Sequence, residues 1–143
     1  MRRGARPGVS VRQLDGKRLL GVARTHALVG DRPVDEGGTD AGFTSGELLL
    51  LATGSCCTGS LRGYLEAQGK SVRDLEVLVH FEPGAEGAVR DRIVITLKLD
   101  PRDYRGDPER VKSAALSGGV ASRLCGGSDV EVRFATDEVK REA

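Results

Sequence analysis

The sequence predicts an α+β domain. Two groups of β-rich, partly alternating runs lie before residue 31 and between residues 74 and 99, and two separate stretches carry helix start signals. No internal repeat, linker or low-complexity segment divides the chain. One domain is therefore expected over 1–143, with residues 1–8 and 136–143 as frayed tails.

"VSVRQL" and "RLLGVART" flank Asp15-Gly16, a dipeptide that marks a tight hairpin between strands. "HALVG", residues 26–30, adds a short strand before Asp31-Arg32-Pro33. Residues 35–46, "DEGGTDAGFTSG", concentrate Gly, Asp, Thr and Ser and read as a loop. Thr44-Ser45-Gly46-Glu47 then has the form of a capping box, which starts a helix from Glu47 to about Gln68, with Gly69 as its stop.

Two further strands are expected. "DLEVLVHFE" places Leu75, Val77, Val79 and Phe81 on one face, and "DRIVITLKL" does the same with Ile93, Ile95, Leu97 and Leu99. With "PGAEGA" between them they form a hairpin. Asp107-Pro108-Glu109 opens a second helix that runs to Cys125, with Gly118-Gly119 marking a kink or a close helix contact. "DVEVRFA", residues 129–135, reads as a closing strand.

Composition excludes several classes of function. Lys and Arg total 22 against 21 Asp and Glu, so no basic field exists to attract nucleic acid. The longest apolar run, Leu48–Ala52, is far short of the roughly 20 residues that cross a bilayer. The first residues lack the apolar core of a secretory signal, and a cytoplasmic, reducing location is expected.

Chemistry centres on the three cysteines, Cys56, Cys57 and Cys125. Adjacent helical residues point about 100° apart, so Cys56 and Cys57 meet different surroundings. Cys57 shares its side with Leu50, Gly54, Leu61 and Tyr64 and reads as core. Cys56 shares its side with Leu49, Ala52, Thr53, Gly59, Ser60 and Gly63, small residues that let another helix or a pocket come close. Cys56 lies beyond the first helical turn, so activating its thiol takes a cation from elsewhere in the fold, for which Arg is suited. No Cys-x-x-Cys spacing asks for a metal, and "GGTDAG" has no Gly-Lys-Ser/Thr to make it a phosphate loop. His80 reads as a solvated residue; His26, just ahead of the loop, is a secondary candidate for lining a site.

From about Arg24 to Phe134 the sequence resembles the OsmC/Ohr family, the osmotically inducible and organic hydroperoxide resistance proteins. "DRPVDEGGTDAGFTSGELLLLATGSC" is similar to the family's glycine-rich lead into Pro-x-Glu-Leu-Leu-Leu-x-Ala-Leu-Gly-Ser-Cys, and "SRLC" falls near the end of a later helix. The resemblance implies an OsmC-like fold: curved antiparallel sheets packed around central helices in an intertwined homodimer. It also implies a peroxiredoxin-like oxidoreductase that reduces organic hydroperoxides, or H2O2, with no cofactor and with an external dithiol as reductant. Carried over by position, Cys56 matches the peroxidatic cysteine and Cys125 the resolving one. Arg32, then Arg24, is the expected activating guanidinium. Peroxide-reducing members have a Glu ten residues before the cysteine, where this chain has Gly46; Glu47 is one step away and is kept as a site candidate beside its capping role. Gly-Gly follows Cys125 where many relatives have Pro-Val. Two other readings are a non-catalytic dimer that binds a small apolar molecule in its interfacial cleft, and a thiol–disulfide exchange protein.

Overall fold

A computed structural model describes residues 8–87 and 91–126, the last two by backbone only. It shows the expected α+β class, with helices and antiparallel sheet. The elements run β1 (Val9–Asp15), β2 (Arg18–Ala23), β3 (His26–Gly30), α1 (Ser45–Glu66), β4 (Glu76–Glu82), β5 (Arg92–Lys98), α2 (Pro108–Leu116) and α3 (Gly119–Gly126). The expected closing strand over 129–135 lies outside the described residues. By their contacts the residues form two compact units. One holds the described residues up to Ser55 with Leu78–Thr96, the other Cys56–Val77 with the described residues from Leu97 on.

In the first unit β1, β2 and β3 make an antiparallel meander in that order. The β1–β2 register slips by one residue between Gln13 and Asp15, a bulge beside the Asp15-Gly16 turn, where Arg18 pairs with Asp15. The second turn is tighter than the sequence suggests. β2 ends at Ala23, which pairs with His26, and Arg24 occupies the turn at φ 56.

The glycine-rich segment after β3 is a loop, as expected, but an ordered one. Asp31 N–H donates to Phe43 O at 3.0 Å and Phe43 N–H to Val29 O at 3.2 Å, while Val34–Glu36 forms one 3-10 turn. A Cβ on Gly38 or Gly42 would overlap the carbonyls of Arg32 and Val29, so this fold of the loop admits only glycine at both positions.

α1 starts where its capping box says it does. Thr44 N–H donates to Glu47 Oε2 at 2.7 Å, and Glu47 N–H donates to Thr44 Oγ1 at 3.2 Å, so each side chain satisfies a backbone donor at the helix start. β4 and β5 are hydrogen-bonded neighbours. Their ion pairs, Glu82 with Arg92 and Glu76 with Lys98, set the end of one strand beside the start of the other, the mark of an antiparallel hairpin.

The second unit holds the hydrophobic core. Cys57, Leu61 and Leu65 are fully buried at four-residue spacing on α1, joined by Val111 and Ala115 of α2 and Ala121 of α3. Each fully buried leucine contributes about 1.5–3 kcal/mol. The single helix expected over 108–125 is instead two, α2 and α3, with Ser117-Gly118 between them. Asp107 caps α2 by accepting from Arg110 N–H at 3.1 Å, and Gly118 O accepts from Ser122 N–H at 2.9 Å to start α3.

Candidate functional site

Two places carry the residues singled out by the sequence. The first is the face of α1 around Cys56. This thiol is half-buried, whereas Cys57 is fully buried in the core, so the helical offset between neighbours separates them as expected. What approaches Cys56 is backbone. A Cβ built on Gly118 would overlap Cys56 Sγ and lie 2.5 Å from Ser60 Oγ, so the α2–α3 junction rests directly on these two side chains. The absence of a side chain at 118 permits that approach. On the same helix Thr53 is buried, and its hydroxyl donates to Leu49 O at 2.8 Å, which leaves it satisfied by its own helix. Gly118 was legible only as half of a weak Gly-Gly pair; nothing in the sequence says that it faces Cys56.

Cys125 lies in α3 by its backbone, seven residues beyond Gly118. The residue that the structure sets against Cys56 is Gly118.

The second place is a basin of about 670 Å³ in the first unit, lined among others by Lys17, Asp31, Arg32, Glu36, Phe43 and Gly46. Asp31 is its structural centre. Only 4% exposed, its carboxylate accepts from Thr39 Oγ1 at 2.6 Å and from the N–H groups of Arg32 (2.8 Å), Thr39 (3.0 Å) and Ala41 (3.1 Å). The Thr39 hydroxyl above all, then the Ala41, Arg32 and Thr39 amides, holds Asp31 far below the ordinary carboxylate range, against the opposing effect of burial. No charge pattern pointed to this residue, because its partners are uncharged: three backbone amides and the Thr39 hydroxyl.

Arg32 lines the basin, 60% exposed at its side chain, and its guanidinium lies 3.6 Å from Glu36. Lys17, also in the lining, donates from Nζ to Glu36 O at 2.7 Å. Arg24 is an exposed turn residue and does not line the basin. Glu47 is occupied by the capping box described above. A Cβ on Gly46 would meet the Phe81 ring at 3.5 Å, ordinary contact, so the missing side chain there is not forced by crowding. His26 is exposed at the start of β3, and His80 is exposed beside Glu82 at 3.1 Å. No group of metal-ligating side chains occurs among the described residues. Among them, too, no helix is long and apolar enough to cross a membrane.

The profile of the OsmC-like protein family matches residues 37–126, more than half of the chain. The chain belongs to the OsmC family. Solved structures show the same fold at low sequence identity. An OsmC-like protein from Mycoplasma pneumoniae superposes with a TM-score of 0.68 at 13% identity, covering 90% of this chain and 94% of the other. OhrB of Bacillus subtilis, named an organic hydroperoxide resistance protein, gives 0.54 at 19%, covering 87% and 94%. The Legionella pneumophila organic hydroperoxide resistance protein OsmC gives 0.56 at 15%, covering 87% and 93%. No curated protein sequence matches. This OsmC family member thus has an OsmC-like α+β fold, with the first of its paired cysteines at a helix–junction contact.

Proposed function

We propose that this protein is a thiol-dependent peroxidase that reduces organic hydroperoxides, or H2O2, at Cys56. The observation that carries the reading is the placement of one half-buried thiol of an adjacent pair against the α2–α3 junction, at the Gly-Ser-Cys position of an OsmC family chain, while its neighbour is consigned to the core. Relatives of the same fold are named for resistance to organic hydroperoxides. In the reaction the Cys56 thiolate attacks the terminal peroxide oxygen, the O–O bond breaks, the alkoxide (hydroxide from H2O2) leaves and takes up a proton, and a sulfenic acid remains on Cys56.

Arg32 is the proposed activating cation. Its pairing with Glu36 is solvent-exposed at both ends, which makes it weak and exchangeable for another anion. Glu47 serves the helix start, so in this reading no carboxylate of α1 orients the guanidinium. The protein is also proposed to act as a homodimer, because apolar side chains of the first unit remain open to water, as discussed below.

The test is peroxide consumption with a thiol reductant. Wild type consumes cumene hydroperoxide and Cys56→Ser falls to the uncatalysed background. Equal rates for the two would end the reading and leave a ligand-binding role for the dimer.

A further inference from the structure

The contact between Gly118 and Cys56 constrains which thiol can follow the peroxide. Because a Cβ on Gly118 would overlap Cys56 Sγ, the Gly118 Cα lies within about 4 Å of that sulfur, allowing for a bond of about 1.5 Å. α3 then runs unbroken from Gly119 to Gly126. At about 1.5 Å per residue, its backbone carries the Cα of Cys125 about 10 Å beyond Gly118. The difference leaves Cys125 Cα at least about 6 Å from Cys56 Sγ while α3 stays helical. A disulfide keeps each Cα within about 5 Å of the opposite sulfur.

We infer that oxidised Cys56 is resolved by a small thiol from solution, and not by Cys125. This rests on the peroxidase reading above and specifies its second substrate. The incoming thiolate attacks the Cys56 sulfur, the S–O bond breaks, and hydroxide leaves and takes up a proton as water. The product is a mixed disulfide on Cys56. A second thiolate attacks the outer sulfur of that disulfide, which releases the Cys56 thiolate and an external disulfide. Each peroxide reduced to alcohol and water therefore oxidises two external thiols, and the electrons balance without Cys125. Cys56 as a residue is only half-buried, so such a partner has a face from which to approach it.

The experiment treats the full-length protein with one equivalent of peroxide, without added thiol, then with dimedone, and maps the cysteines by mass spectrometry. The expected result is a dimedone adduct on Cys56, with Cys125 still available to iodoacetamide. With β-mercaptoethanol in place of dimedone, Cys56 carries the mixed disulfide. A Cys56–Cys125 disulfide, within one chain or between two, overturns this inference and leaves the peroxidase reading standing. Cys56 unmodified by peroxide overturns both. Gly118→Cys supplies an independent readout: it brings a thiol against Cys56 and converts the dimedone-reactive product into a disulfide between Cys56 and the introduced side chain. Persistence of the dimedone adduct in a folded Gly118→Cys protein counts against the geometry on which the inference stands.

Discussion

Asp31 takes four hydrogen bonds onto one buried carboxylate and ties the strand end at Gly30 to the loop that leads into α1. Such a group binds its proton more weakly folded than unfolded. Its contribution is complete above the unfolded value near 3.9 and is lost as pH falls below about 4 toward the depressed folded value. Asp31→Asn keeps the shape but replaces an acceptor-only group with an amide that donates. The expected outcome is a lower melting temperature than wild type at pH 7, with the gap narrowing as the pH is taken below about 4. Paired melting curves across that range check it. Equal losses in both proteins would show that Asp31 does not carry the acid sensitivity. At this scale the sequence was partly legible. The different fates of Cys56 and Cys57 followed from helical rotation alone, whereas Asp31 looked like any loop acid because its partners become neighbours only when the loop closes.

The elements divide along similar lines. The start of α1 was readable because a capping box is a local code, complete within four residues. Thr44→Ala should lower stability by about 1 kcal/mol through loss of the cap, measured by urea unfolding; an unchanged midpoint would mean that the cap is redundant. The same Thr44–Glu47 exchange shows the capping half of the two roles open to Glu47: its spacing fits the helix start, one step from the position of the family's carboxylate, and both hydrogen bonds of the capping box are made. The second helix was not readable to the same degree. Its apolar stripe runs through Val111, Ala115 and on to Leu124, as for one continuous helix. The break at Ser117-Gly118 falls where the backbone comes close to Cys56 and Ser60, far away in the chain. Propensity marked the weak point, and a distant contact uses it.

For the whole molecule, the distribution of burial argues for association. Among the described residues the fully buried hydrophobic side chains all belong to the second unit. In the first, Phe43 is 49%, Leu51 55% and Phe81 42% exposed, and no large hydrophobic side chain among the described residues is fully buried. A sheet and helix that expose this much apolar surface complete their core against another surface, and a second copy is the partner expected of an OsmC family chain. The mass in solution should be that of two chains by light scattering, and the melting temperature should rise with protein concentration, because association stabilises only the folded form. A monomeric mass with a concentration-independent transition would refute the dimer. The α+β class was legible from strand periodicity and helix signals, since both are repeated locally. The expectation of association came only from resemblance, because no run of residues distinguishes a face that meets its own core from one that meets a twin.

The adjoining thiols also supply an internal gauge of foldedness. An alkylating reagent applied to the intact protein reaches residue 56 well before residue 57, whose sulfur is sealed on every side. Labelling at 57 therefore keeps time with opening of the core, and the ratio between two consecutive positions in a single peptide records that opening without any introduced probe.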